Sequence, residues 1–333
     1  MGSAILTHEQ IITLQCLHGC GVATVSKIGS FCHKKVPSFS LREYYDFIGE
    51  LVNNKRINRF KLPSYSAFQD ANKQAKRIIE NTYNQGISIV SKFDADFPKM
   101  LLETVDEAGK PSVPILLYFK GDLSATNRKG IAIIGTREPT KEGIAAGEFF
   151  GKKLASLGVN IVSGLALGCD SSGHRGALDA NGITTAFLAH GLDSVYPPEN
   201  KSLAERIIHN GGLLMSEYEI GQQVNRYNLV ARDRLQAALS SATIVIQTGI
   251  SGGTMHAVNA TLASHKPLYA VRYKGINSEK ALGNEFLIQT KGAIPLTSGT
   301  DIGVLASSDK DLSPKSIHEE PLFSGLLFNI DDL

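Results

Sequence analysis

Residues 131–175 read IAIIGTREPTKEGIAAGEFFGKKLASLGVNIVSGLALGCDSSGHR, and this stretch decides the fold. Residues 131–134 are a short apolar run ended by Gly135, the pattern of a strand buried on both faces of a parallel sheet. Between Pro139 and Gly158 the apolar residues Ile144, Phe149, Phe150, Leu154 and Leu157 recur at helical spacing, and Gly158 suits the C-terminal cap. Residues 159–162 predict a second buried strand. Ser163-Gly164 and a Gly-containing turn lead on to Asp170, which can cap a helix running through His174, Arg175 and Leu178. Strand, crossover helix, strand, helix is a βαβ unit, and its two strand-to-helix loops lie at one edge of the sheet.

Backbone N–H groups at the start of a helix favour anions, so the chemistry is expected in those loops. The first holds Gly135, Thr136 and Arg137; the second holds Ser163, Gly164, Gly168, Ser171 and His174. The same glycines also serve tight turns, and His174 also suits simple packing. No G-x-G-x-x-G follows the first strand and no G-x-x-x-x-G-K-[ST] occurs, so neither an ordinary dinucleotide site nor a P-loop is supported.

Working outward, the alternation continues. Strands are predicted at 184–188, 213–216, 243–247 and 268–271. The loop from His190 to Lys201 enters a helix through Ile208. A helix over 228–239 carries Arg232 and Arg234, with Arg226 just before it, and Ser251-Gly252-Gly253-Thr254 opens a helix to His265. This is an α/β chain with a doubly wound, mostly parallel sheet of six or so strands plus edge additions. Upstream, residues 1–85 read as a small helical domain, and residues 86–298 hold the sheet, including strands at 87–90 and 115–119. Residues 299–333 form a polar linker and an acidic-hydrophobic tail, EEPLFSGLLFNIDDL, which either docks on a partner protein or packs on its own domain.

The composition narrows the class. The 333 residues are 42% hydrophobic, enough for a packed core. No apolar run reaches the ~20 residues of a membrane helix, and the N-terminus lacks a signal-peptide pattern. Four cysteines make no disulfide framework in a chain of this length, which points to the cytoplasm. A net charge of +2 restricts any nucleic-acid surface to a local patch. Residues 53–61, NNKRINRFK, are a basic connector that can also touch a nucleic-acid backbone. The turn His18-Gly19-Cys20-Gly21-Val22 bears a weak resemblance to a helix-hairpin-helix turn, and a purely structural helical hairpin explains it better. Cys16, His18, Cys20, Cys32 and His33 match no familiar zinc spacing, so no metal site is expected.

The motifs become specific when taken together. Ile134-Gly135-Thr136-Arg137 and Val162-Ser163-Gly164-Leu165-Ala166-x-Gly168-x-Asp170-x3-His174-Arg175-Gly176-Ala177-Leu178 resemble the DNA-processing DprA/Smf family. So do Gly191-Leu192-Asp193-x2-Tyr196-Pro197-x-Glu199-Asn200, Gly212-Leu213-Leu214-x-Ser216-Glu217 and Arg232-Asp233-Arg234-x4-Leu239-Ser240. Gly283-Asn284-x2-Leu287-Ile288-x3-Gly292-Ala293 and the upstream Asp94-x-Asp96-Phe97-Pro98-x2-Leu101 complete the series over roughly 86–293.

The resemblance implies an extended Rossmann-like domain, of the wider LOG/SLOG superfamily, behind a small helical domain. It implies binding and protection of single-stranded DNA, a homodimer, and hand-over to a RecA-type recombinase in DNA uptake and recombination. It implies no catalytic residue and no cofactor. Gly135, Thr136, Arg137, Ser163, Gly164, Gly168 and His174 would then line the phosphate loops. Lys201, Arg226, Arg232 and Arg234 would supply positive charge, beside Ser251, Gly252, Gly253 and Thr254. An arginine here can instead pair with Asp233 or Glu217 and serve only the fold.

The chain departs from the family at Leu167, where Arg is usual, at Asp233, where Asn is usual, and in Ser251-Gly252-Gly253-Thr254-Met255-His256-Ala257. The resemblance is thus to a divergent branch of the family, which leaves open a non-catalytic sensor of a nucleotide-derived ligand in bacterial defence. A LOG-type nucleotide N-glycosidase is disfavoured, because Ala257 stands where those enzymes carry the catalytic Glu.

Overall fold

Nine strands pair into one sheet in the order β1-β2-β6-β5-β4-β3-β7-β8-β9 among the residues that this computed structural model describes, 5–32, 36–273, 279–297 and 300–307. The strands are β1 (Ser88–Ser91), β2 (Leu116–Gly121), β3 (Gly130–Ile134), β4 (Asn160–Ser163), β5 (Thr184–Leu188), β6 (Leu213–Ser216), β7 (Ala242–Val245), β8 (Leu268–Val271) and β9 (Ile294–Leu296). From β6 to β9 every pair is parallel, while β1 and β2 add an antiparallel edge beside β6. β3, β4, β5 and β7 are buried along their whole length; their apolar residues fill the core, and the buried Asn160, Ser163, Thr184 and Thr243 among them are hydrogen-bonded.

The helices follow the expected alternation. In the sheet region they are α5 (Lys141–Ser156), α6 (Cys169–Asp179), α7 (Lys201–His209), α8 (Arg226–Leu239), α9 (Thr254–Ala263), α10 (Glu279–Thr290) and α11 (Ile302–Ala306). Ahead of the sheet lie α1 (His8–Gln15), α2 (Val22–Phe31), α3 (Leu41–Asn53) and α4 (Tyr65–Asn84). A capping box at Thr7/Gln10 starts α1, and another at Ser40/Glu43 starts α3. One buried apolar cluster runs from Leu6, Ile11, Tyr44 and Phe68 of these helices to Ile89, Tyr118, Leu188 and Leu214 of the sheet. The N-terminal helices therefore pack directly on the β1–β2 side.

Several predicted boundaries shift. α5 begins two residues after Pro139, with Thr140 as its cap accepting from the Gly143 N–H at 3.3 Å, and Gly158 takes the expected left-handed turn just past its end at φ +83°. Asp170 does not cap α6. Gly168 holds that position without a side-chain bond, at φ +79°, and Asp170 sits inside the first turn. A Cβ at Gly168 would collide with the Thr136 carbonyl, so glycine alone lets the two strand-to-helix loops touch. Past residue 299 the chain forms α11, whose Leu305 joins the core cluster that contains Phe150 and Leu154 of α5. His33 and the tail from residue 308 lie outside the described residues, and so does the expectation that the tail docks on a partner. No helix among the described residues is long and apolar enough to cross a membrane.

Candidate nucleic-acid interface

Strand order reverses between β3 and β7: the chain steps from β3 outward through β4, β5 and β6, then returns to β7 on the other side. The crevice at such a switch point, outside the carboxyl ends of the strands, is where open α/β sheets bind ligands. A cavity of about 990 Å³ occupies it, lined by the β3 loop (Gly135–Glu138), the start of α8, the loop 248–253 and the first turns of α9.

The clamp that shapes this crevice is polar and internal. Thr136 N–H donates to the Gln247 carbonyl at 2.7 Å, and Gln247 Oε1 accepts from the Thr140 N–H at 2.7 Å, tying the β3 loop to the end of β7. Asn284 performs the same service from α10. Its Oδ1 accepts from the Thr248 N–H at 2.8 Å, and its Nδ2 donates to the carbonyls of Ile246 at 2.7 Å and Val271 at 2.8 Å. The G-N motif thus fixes the loop that forms one wall of the cavity. Asn284→Ala is expected to lower stability by about 2–3 kcal/mol by orphaning these buried groups. Thermal unfolding should show a midpoint lower by roughly 5–8 °C.

Arg137 and Arg226 are exposed at the cavity, and Lys291 stands at its edge. Lys201, also exposed, opens α7 after β5, the second strand from β3, and is not among the residues that line the cavity. None of these four cations forms a salt bridge among the described residues. Ser251, Gly252 and Gly253 are exposed, and no side chain caps the N-terminus of α9 at Gly253-Thr254. Tyr227, 86% exposed, follows Arg226 and offers an aromatic face that the sequence analysis did not single out. Its position in the first turn of α8, beside a cation, was the available signal.

The second loop is a correction. Asp170 Oδ2 accepts from the Gly164 N–H at 3.1 Å and the Ala166 N–H at 3.4 Å, so the amides expected to hold phosphate are already occupied by a carboxylate. Ser163 is buried and donates its hydroxyl to the Ile133 carbonyl at 2.6 Å. His174 is fully buried. Thr184 Oγ1 donates to the Ile161 carbonyl and must accept from His174 Nδ1, 2.6 Å away, which fixes the tautomer and leaves Nε2 as a buried acceptor without a partner among the described residues. Burial, aided by Arg232 and Arg175, holds this imidazole down at about 3. Ser163 and Gly164 therefore support the loop from inside, and His174 ties α6 to the start of β5.

Arg232 and Arg234 also serve the fold. Arg232, 5% exposed, donates Nη1 to the carbonyls of Gly164, at 2.6 Å, and Phe187, and Nε to Asp233 Oδ1 at 3.1 Å. A Cβ at Gly164 would strike that guanidinium. Arg234 grips Glu217 with both Nη atoms at 2.7 and 2.8 Å and reaches Ser112 with Nε. Asn200, from the loop motif, is buried and donates to the Leu165 carbonyl at 2.8 Å, holding a leucine at φ +58°.

Asp233 is among the residues that line the cavity. Burial pushes its carboxyl up to about 6, with Asp170 adding to the rise and Arg232 and His256 opposing it. A folded-state value above the unfolded one means that the group's contribution to stability is full below about pH 4 and lost as pH rises through about 6. Asp233→Asn, which cannot ionise, is therefore expected to raise the thermal midpoint by several degrees at about pH 8 and to leave it unchanged near pH 4. Melting curves across that range check the sign.

Comparison with known proteins agrees with this architecture. A family model described as DNA recombination-mediator protein A matches residues 88–306. Protein Smf of Synechocystis is 36% identical over 183 residues, covering 54% of this chain and 44% of the relative. DNA processing protein A of Streptococcus pneumoniae superposes with a TM-score of 0.69 at 25% identity, covering 90% of this chain and 98% of that one. DNA processing protein A of Helicobacter pylori, whose structure is described with a single-stranded DNA binding mode, gives a TM-score of 0.56 at 28% identity over 66% of this chain and 94% of that one. The chain spans about half the length of the first curated relatives it matches.

Proposed function

Because this chain belongs to the DNA recombination-mediator protein A family, we propose that its switch-point crevice binds single-stranded DNA, protects it and passes it to a RecA-type recombinase. The observation that carries the binding is that Arg137 and Arg226, exposed and without a salt bridge among the described residues, meet at one cavity with the N-terminus of α9, which no side chain caps, while Lys201 opens α7 at the same edge of the sheet. Phosphate-neutralising cations with an adjacent aromatic face, here Tyr227, are the elements of a sequence-tolerant single-strand site. The hand-over rests on the family description, recombination-mediator protein, and the binding is supported by the Helicobacter relative's single-stranded DNA binding mode. The protein acts as a homodimer in the cytoplasm on this reading.

The proposal assigns binding without a chemical step. The Cys169 thiol is pushed up to about 12 by burial, the His174 ring is sealed in the core, and Ala257 carries no carboxylate. Fluorescence anisotropy with a labelled single-stranded oligonucleotide tests the binding, at two salt concentrations and beside the duplex form. Salt-sensitive binding that prefers the single strand is expected. No binding at low salt removes the proposal and turns attention to small nucleotides, which a thermal-shift screen would detect.

A further inference from the structure

Away from the crevice, a second group of cations stands on the N-terminal helical layer. Between Glu50 and Asp70 the sequence holds Lys55, Arg56, Arg59 and Lys61 and no acidic residue, in a molecule whose net charge is only +2. All four side chains are exposed, and none forms a salt bridge among the described residues. The loop beneath them is firmly built. A Schellman turn ends α3: the Lys55 N–H donates to the Val52 carbonyl at 3.0 Å and the Arg56 N–H to the Leu51 carbonyl at 2.9 Å. Ile57 and Phe60, 4% and 5% exposed, anchor the loop in the apolar cluster that also contains Leu165 and Leu203. Lys55 takes the left-handed position of the turn, at φ +55°, where glycine is the unstrained residue and a lysine needs another reason to stand. Cations beyond a helix C-terminus also complement its dipole, but that effect fades within a turn and gives Arg59 and Lys61 no role.

We propose that this loop is a second nucleic-acid surface, separate from the crevice, which holds the phosphate backbone of duplex DNA. The choice of nucleic acid rests on the single-stranded DNA reading above. The exposed residues between the cations are amides, Asn53, Asn54 and Asn58, so the loop presents the side-chain types that meet phosphate and sugar. A protein partner would look for an apolar or aromatic centre, and the loop's own, Ile57 and Phe60, is buried. Single-strand sites stack bases on aromatic rings. Here Phe60 is out of reach, and the Tyr65 ring already carries the Arg42 guanidinium 4.8 Å from its centroid and meets Tyr45 edge-on at 5.1 Å. A surface that grips phosphates without stacking bases favours the form whose bases are stacked on each other. Duplex DNA also carries twice the charge per length, one for each ~1.7 Å of axis against ~3.4 Å per strand. Duplex flanking a single-stranded stretch is then held at the loop while the strand occupies the crevice.

The test is anisotropy with a short labelled duplex and, separately, one of its strands alone, on the full chain across a salt series. Arg56→Ala, Arg59→Ala and Lys61→Ala combined are expected to weaken duplex binding about a hundredfold at low salt. The slope of log K against log salt should flatten by about 2.7, at about 0.9 for each contact with B-form DNA. Single-strand affinity and the thermal midpoint should stay put, because these exposed side chains serve neither the crevice nor the core. Alanine at Arg137, Lys201 and Arg226 should do the reverse, losing the single strand and keeping the duplex. Lys55→Gly relieves the left-handed backbone, so it should melt at the same temperature or higher while binding duplex several-fold more weakly. No duplex binding by the wild type overturns the inference and leaves the crevice proposal standing, whereas failure of both forms removes the DNA reading itself. If the loop variant weakens both forms equally, the loop merely extends the single-strand track and the inference falls. Polyglutamate is the remaining arm. If it binds where duplex does not, and the loop variant loses it, the cations serve an acidic protein and the inference is again overturned.

Discussion

Replacing Arg137, Lys201 and Arg226 together with alanine is expected to weaken single-stranded DNA binding by two to three orders of magnitude at low salt. Each charge-assisted phosphate contact contributes about 1–1.5 kcal/mol, and three of them sum to about 3–4 kcal/mol. The salt dependence is the sharper signature. Loss of three phosphate contacts should flatten the slope of log K against log salt by about 2, because each contact with a single strand contributes about 0.7. All three side chains are exposed and unpaired among the described residues, so the thermal midpoint should stay put. Anisotropy titrations across a salt series, with a melting curve on each variant, separate the two effects. An unchanged slope would place the DNA elsewhere on the molecule.

Arg232→Met should do the reverse, damaging the fold before it touches affinity. The guanidinium is buried between Asp170 and Asp233 and bonds the carbonyls of Gly164 and Phe187. Its removal strands two buried carboxylates, the circumstance in which breaking a buried ion pair costs about 3–5 kcal/mol. In thermal unfolding this corresponds to a midpoint lower by roughly 6–12 °C. Adding Asp170→Asn and Asp233→Asn to Arg232→Met should recover part of the loss, since the stranded charges and not the missing side chain dominate the cost. If the triple variant melts no higher than Arg232→Met alone, the damage arises from the orphaned carbonyls of Gly164 and Phe187.

Most of the fold was legible because the parallel strands are continuous apolar runs punctuated by glycine, a pattern that depends only on local sequence. The β1–β2 edge was harder to read, since its antiparallel pairing to β6 joins segments far apart in the chain. The first loop and the glycine loop after β7 were also readable, and Arg137, Arg226 and Ser251–Thr254 converge on one cavity. The second loop was not. Serine, glycine and aspartate at a helix start describe an anion site equally well whether the anion comes from outside or from the protein. Only the distances show Asp170 taking the loop's own amides. Arg232 and Arg234 posed the same difficulty. Two arginines within three positions look like a basic helix, yet burial and the positions of Asp233 and Glu217 make them internal struts. Asn200 and Asn284 stood inside recognisable motifs, but their role as clamps depends on which carbonyls they meet across the sheet edge.

The occupancy of the second loop by Asp170 also bears on how a bound strand would leave. A ligand seated on a rigid nest of backbone amides must lose all its contacts in one concerted event. On the proposed function this crevice instead grips through long side chains on separate elements, the β3 loop and the starts of α7 and α8, each side chain free to swing on its own. A strand held that way can be peeled off one phosphate at a time, and an incoming protein can occupy each vacated nucleotide before the next is released. Dissociation would then quicken with the concentration of the competitor, a kinetic order that suits a relay better than a store.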